Sequence, residues 1–401
     1  MRTKLTRLFV EFFDSEQASG IVLIACTLIS ILIANSPWGK GYLVFWHLKL
    51  GIDAGHLALR YSVEHWINDA LMAVFFLLIG LEIEREIYVG ELSDLRNASL
   101  PIFAAIGGMV IPAMIYLWIN RGTATQNGFG IPMATDIAFA LGALALLGSK
   151  IPSALKVFLT ALAIIDDLGA ILLIAVFYVQ DFSLLYLLLA MAVFAGLIVL
   201  NRMGVNSLAF YLIPGIFMWY FMLRSGVHAT LAGVLLAFAL PFRDDGEQSP
   251  SYRLQHFLHK PVAFLIMPFF ALANTGILLN GRWMSEFLSP NSLGVLMGLL
   301  LGKPLGIVTA SFLAVRSGVS RLAGELSWGH ILGAGFLGGI GFTMSIFITL
   351  LAFHDPLAIQ STKISILLSS LSAGLVGYLI LRRQEPVKDD LPGMPDGEPG
   401  F

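Results

Sequence analysis

From about residue 17 to residue 381 the chain is a succession of apolar stretches joined by short polar links. Each is roughly 17–25 residues long, the length of helix that crosses a bilayer. Hydrophobic residues make up 57% of the chain and charged residues only 12%, against about 25% charged in a soluble domain. This composition leaves no room for a large soluble domain and predicts an all-α polytopic membrane protein. Twelve spans are expected, at roughly 17–36, 65–87, 99–119, 128–148, 153–178, 183–200, 206–222, 226–241, 258–280, 291–315, 329–352 and 358–381. Residues 1–383 are read as one transmembrane domain.

The net charge of −2 excludes a basic surface for nucleic acid. Cys26 is alone, so it forms no disulfide within the chain. Arg2, Lys4 and Arg7 precede the first apolar stretch as in a signal peptide. That stretch is long and many more follow, so it is read as a retained first helix.

Lysine and arginine set the orientation. With the N-terminus inside, 15 of them fall on the cytoplasmic side and 7 on the outer side. Both termini are then cytoplasmic. Only Lys156 and Lys303 lie within spans. Around His47–Tyr61, partly alternating residues flanking glycines predict a β-hairpin outside the membrane. The tail 384–401, rich in Pro, Gly and acid, is expected to be disordered.

Two spans are interrupted. The fourth opens with Gly128, Gly130 and Pro132, just before Thr135 and Asp136. Proline removes a backbone donor and glycine loosens the helix, so unwinding is expected near Pro132. The eleventh has five glycines in the nine residues from Gly333 to Gly341. Interrupted segments in corresponding positions of two halves point to a transporter binding site. They imply inverted repeats at about 99–180 and 291–382.

Asp166 and Asp167 sit side by side in the apolar run from Leu162 to Ile174. Each costs about 2.5–3.5 kcal/mol or more to place at a bilayer centre, which marks a functional site. Adjacent residues on a helix point about 100° apart. One aspartate can therefore face a cavity while the other meets a partner. Lys303 is the obvious buried counter-charge, unless it snorkels past the helix end beside Pro304. Asp136 is costly for the same reason as the pair, although it could simply cap the second half of its helix. Glu82, Glu84, Arg85 and Glu86 close the second span, either as an ordinary charged helix end or as an acidic funnel for cations. Asp69 and His228 lie near helix starts and read as structural. His256 and His259 lie in a loop and could titrate near neutrality.

Several formal motifs fail. Gly333–Gly338 fits the dinucleotide fingerprint but lies in a membrane span. Gly298–Lys303 is one residue short of a P-loop and is followed by Pro304. A membrane prenyltransferase would want a second acid where Ala170 stands.

The segments Ile131–Ala140, Ala163–Ala170 and Gly302–Gly306 resemble the NhaA-type bacterial sodium/proton antiporters. So do Trp66–Phe76, Ser225–Thr230 and Gly338–Ile348, in the family's order along nearly the whole chain. The resemblance implies twelve helices, with the fourth and eleventh unwound and crossing at mid-membrane. It implies a multi-pass protein of the bacterial inner membrane that exchanges external protons for internal Na+ or Li+, electrogenically and under pH control. No cofactor is implied, and the protein would not be an enzyme. By position, Asp167 is the principal cation ligand and Asp166 its neighbour, which pairs with Lys303 in one state. Thr135 adds an oxygen. Asp136 and Lys303 offset the half-helix dipoles. The hairpin would join two protomers into a homodimer within the membrane lipid. Glu82, Arg85, Glu86 and His256 match the family's pH-sensing cluster, whereas Gln255 and Tyr252 stand where a glutamate and a lysine are expected.

If protons and sodium compete for the same buried carboxylates, and the site faces one side at a time, exchange follows. A cation channel could use intramembrane acids without a buried lysine. An intramembrane protease or prenyltransferase would need its own motif around the aspartates, and the sequence has none.

Overall fold

The computed structural model describes residues 2–54, 57–179, 181–242, 249–278 and 287–384. The hairpin tip at 55–56 and the tail from 385 onward lie outside the described residues, as do Arg243, Arg282 and Lys388.

The described chain is helical apart from one hairpin. Helix α1 (Arg2–Ala34) turns through 118° into α2 (Gly39–Trp46). Strands β1 (Lys49–Ala54) and β2 (Leu57–Ser62) pair antiparallel, with Lys49 opposite Ser62. Gly51 sits there at φ 134°, where an added Cβ would lie 1.7 Å from the Leu59 carbonyl oxygen. Next come α3 (Val63–Trp66), α4 (Met72–Tyr88) and α5 (Leu95–Ile119). A 3-10 stretch, Gln126–Met133, precedes α6 (Ile137–Ala145). Helices α7 (Ser153–Phe177), α8 (Leu184–Arg202), α9 (Ala209–Ser225), α10 (Leu231–Ala239), α11 (Pro250–Pro261) and α12 (Met267–Asn274) follow. The chain then runs through α13 (Pro290–Met297), α14 (Lys303–Arg316), α15 (Trp328–Gly338), α16 (Phe342–Ala352) and α17 (Pro356–Arg382).

Among the described residues eight helical stretches are long and apolar enough to cross a membrane, and two bent pairs bring the number to ten. The protein is thus a polytopic all-α membrane protein. The expected spans 206–222 and 226–241 correspond to the 17-residue α9 and the nine-residue α10. Helix α10 is about 14 Å long, less than half of a bilayer core. The residues before it cannot extend it backward, because Gly226 adopts a left-handed φ of 78° and ends α9.

Both glycine- and proline-rich spans are broken. In the fourth, Ala134 to Asp136 is extended between the 3-10 stretch and α6. In the eleventh, α15 and α16 are bent by 45°. A third irregularity lies at the lysine: the turn Gly298–Gly302 is π-helical and leads directly into Lys303 and Pro304. A proline ring clashes with the carbonyl four residues earlier, and a widened turn relieves that clash. The same pairing recurs where the π turn Val262–Ile266 precedes Pro268.

Helices α5 and α14 pack in backbone contact. A Cβ on Gly107 would lie 2.2 Å from the Gly306 carbonyl oxygen, and one on Gly306 would lie 2.1 Å from that of Gly107. Small residues at membrane helix crossings allow this approach. Here the contact brings Lys303, between Gly302 and Gly306, deep into the protein.

Candidate functional site

The two breaks meet. The Asp136 amide donates to the Ile340 carbonyl at 2.6 Å, and Ser345 Oγ donates to the Ile131 carbonyl at 2.7 Å. Extended backbone cannot pair with itself, so each break's polar groups find partners in the other.

Asp136 caps two helices at once. Its Oδ1 accepts from the Phe139 amide of α6 at 3.2 Å. Its Oδ2 accepts from the Thr343 amide of α16 at 3.0 Å and from the Thr343 hydroxyl. A carboxylate at a helix N-terminus satisfies orphan amides and suits the positive end of the dipole. One side chain does this for both half-helices. The capping role weighed for Asp136 from sequence is real, and it extends across the second break.

Lys303 does not snorkel. It is fully buried, and its Nζ donates to Asp166 Oδ2 at 2.6 Å and to the Met133 carbonyl. The π turn and the close α5–α14 crossing set this reach. Thr135 Oγ1 lies 2.6 Å from the same Asp166 oxygen and 2.8 Å from the Gly338 carbonyl. Its single hydroxyl proton serves one of them at a time.

Asp166 and Asp167 are each 1% exposed. Helix α7 presents them in different directions. Asp166 turns to Lys303 and Thr135, while Asp167 lies in the fields of Asp166, Asp136, Glu82 and Lys303. Asp166 Oδ1 and Asp167 Oδ1 are both buried without a hydrogen-bond partner. Orphaned carboxylate oxygens are rare in protein interiors. Two of them lie side by side here, with the Thr135 hydroxyl beside the Asp166 carboxylate.

The residues expected at the funnel are only partly joined. Arg85 Nη2 donates to Glu86 Oε1 at 3.3 Å, and the Glu91 amide donates to Glu86 Oε2 at 3.0 Å. Burial, helped by Glu86, holds the Glu91 carboxyl above its usual range. His256 is exposed and its ring stacks parallel to that of Tyr252, 6.4 Å between centroids. Among the described residues no hydrogen bond or ion pair connects His256 to Glu82, Arg85 or Glu86. Gln255 is buried. His228 Nε2 bonds the Tyr178 carbonyl at 2.7 Å, and Asp69 pairs with His65 at 2.8 Å, consistent with structural roles at helix starts.

Sequence reasoning overlooked two residues, Thr343 and Ser345, and did not single out a third, Glu84. Thr343 and Ser345 opened the second half of the eleventh span, where unpaired amides and carbonyls call for hydroxyls. Glu84 is 4% exposed with Oε2 unpartnered, although it reads as one more charge at a helix end. Nothing in its spacing distinguishes it from Glu82 and Glu86.

The profile of the family described as Na+/H+ antiporter 1 matches residues 10–381. The Na(+)/H(+) antiporter NhaA of Dechloromonas aromatica is 62% identical over 384 residues, covering 95% of this chain and 97% of that one. The protein of the same name from Flavobacterium psychrophilum is 59% identical over 379 residues, covering 94% and 97%. Na(+)/H(+) antiporter NhaA 1 of Flavobacterium johnsoniae is 57% identical over 379 residues, again covering 94% and 97%. With such matches along nearly its full length, the chain belongs to the Na+/H+ antiporter family of the NhaA type.

Proposed function

We propose that the protein is a secondary antiporter that exchanges external protons for internal Na+ or Li+ across the bacterial inner membrane. The observation that carries this reading is the arrangement on α7. One aspartate is paired with a buried lysine, and its neighbour keeps a buried carboxylate oxygen free. Asp167 is the principal cation ligand. Asp166 joins it once Lys303 lets go, and Thr135 adds its hydroxyl oxygen when its proton turns to the Gly338 carbonyl.

Sodium and protons then compete for one set of oxygens. A cation entering between Asp166 and Asp167 displaces the Lys303 ammonium and any carboxyl protons. Protonation or re-pairing with Lys303 expels the cation. If the site opens to one side at a time, this competition alone couples the two fluxes. More than one proton per cation makes the exchange electrogenic. Glu82, Arg85, Glu86 and His256 at the cytoplasmic mouth bias it with pH.

On this reading the ten candidate spans, with α9 and α10 added, make twelve, and the two breaks cross near mid-membrane. Both termini are cytoplasmic, and the hairpin joins two protomers outside the membrane. The test is proton movement driven by sodium in proteoliposomes across pH. Proton flux that requires sodium, and moves opposite to it, supports the antiporter. Sodium current without proton movement would make the protein a channel.

A further inference from the structure

Away from the aspartates, α14 and the start of α15 enclose a groove of about 420 Å³ on the outer face of the protein. Val308, Thr309, Phe312, Leu313 and Trp328 line it. Phe312 and Leu313 are exposed, and Trp328 stands over Phe312 with 5.5 Å between ring centroids. The lining surface is almost wholly apolar, and the Thr309 hydroxyl is turned back to the Leu305 carbonyl at 2.6 Å. The groove therefore takes hydrocarbon.

Its mouth is cationic. Arg316 follows Phe312 by four residues on α14, so the two share a helix face. Arg321 is exposed in the loop that leads to Trp328. The end of α17 reaches the same place: Gln384 Oε1 accepts from Ser327 Oγ at 3.1 Å, and its side chain packs on Gly329. This brings the exposed Arg382 and Arg383 to the same rim. Among the described residues none of the four arginines is in an ion pair. The loop between α14 and α15 holds one acid, Glu325. Tryptophan and arginine at this position mark the headgroup level of a bilayer.

We infer that this groove is a binding site for one anionic phospholipid, with an acyl chain between α14 and α15 and the headgroup phosphate held by Arg316 and Arg321. A slot for hydrocarbon with unpaired cations at its mouth matches an amphiphile with a negative head. Basic pockets between membrane helices bind such headgroups. The two helices that form the slot carry Lys303 and Gly338 at their far ends. The lipid thus touches the pair of helices that frames the ion site without touching the site itself.

Each interfacial arginine strengthens binding of an anionic head by about fivefold. The full chain in detergent, titrated with phosphatidylglycerol or phosphatidylcholine and read by native mass spectrometry, tests the assignment. Retention of one phosphatidylglycerol, about 25-fold or more tighter than phosphatidylcholine, is expected. Arg316→Gln with Arg321→Gln should remove about 25-fold of that preference. Val308→Trp should fill the slot and weaken both lipids, which separates the groove from the charges if the double variant proves unstable. Equal binding of the two lipids, or an unchanged preference in the double variant, overturns the proposal. So does Val308→Trp that alters self-association and leaves lipid binding intact, since the occupant would then be a second copy.

Discussion

Lys303 and Asp166 meet at 2.6 Å with neither side chain in contact with solvent. Taking two charges out of water is costly, and only their mutual pairing offsets it. Lys303→Ala should therefore lower stability by about 3–5 kcal/mol, the usual cost of stranding one member of a buried pair. Adding Asp166→Asn should recover part of that loss. Thermal unfolding of the two single variants and the double variant, read as a cycle, measures the coupling. Strict additivity would mean that the pair contributes nothing.

Asp167→Asn should leave a folded protein that no longer exchanges. The change keeps the size of the side chain and removes the negative ligand whose Oδ1 has no protein partner. Sodium-driven proton flux near the parental rate would dismiss Asp167 as the ion ligand.

Gly107→Ala should act on a residue it does not touch. The new methyl would lie 2.2 Å from the Gly306 carbonyl oxygen, so α5 and α14 must separate. Overpacking of this kind costs about 1–3 kcal/mol. Lys303 would move with α14. A shifted pH profile of exchange, beyond the loss of stability, is the expected signature; stability lost at an unchanged profile would leave Lys303 where it was.

How far the sequence reveals this site depends on whether a cost is visible in one dimension. Acids in an apolar run stand out whatever they pack against, so Asp136, Asp166 and Asp167 are legible. Lys303 is legible as an intramembrane charge, but its direction is not. A lysine beside a proline snorkels or turns inward depending on how closely another helix approaches, and that depended on Gly107 meeting Gly306. The breaks were announced by Pro132 and by the glycines from Gly333 to Gly341. Their partners were not, because Thr343 and Ser345 are ordinary residues until a second backbone lies against them. The nine-residue α10 is shorter than the span expected at 226–241, because hydropathy does not register a left-handed Gly226. The unpartnered Glu84 looks like its half-buried neighbours Glu82 and Glu86 in sequence, since burial at a helix end is decided by what packs there.

The chain should be activated as pH rises, because protons compete with sodium at Asp166 and Asp167. Gln255 is buried beside the exposed His256 and cannot titrate. Gln255→Glu should steepen or shift the activation curve. Exchange measured from acid to alkaline pH in both proteins checks this, and superimposable curves would show that position 255 carries no pH information.

A reporter fused to the C-terminus should read cytoplasmic, as the imbalance of lysine and arginine requires. A periplasmic reading would invert the whole arrangement and move the arginine-rimmed groove to the other leaflet.

Asp136 holds the amides of both half-helices with one carboxyl group, and the Asp136 amide and Ser345 hydroxyl rivet the two breaks together around it. Prying the two broken spans apart would strand several buried donors and acceptors together, each costing about 1–3 kcal/mol. An opened crossing is therefore a sparsely populated state, and the low-energy path keeps it closed. The crossing must therefore behave as a single axle. Access to the ion can alternate only if the surrounding helices slide past this axle, or if the axle is carried whole from one face of the membrane toward the other.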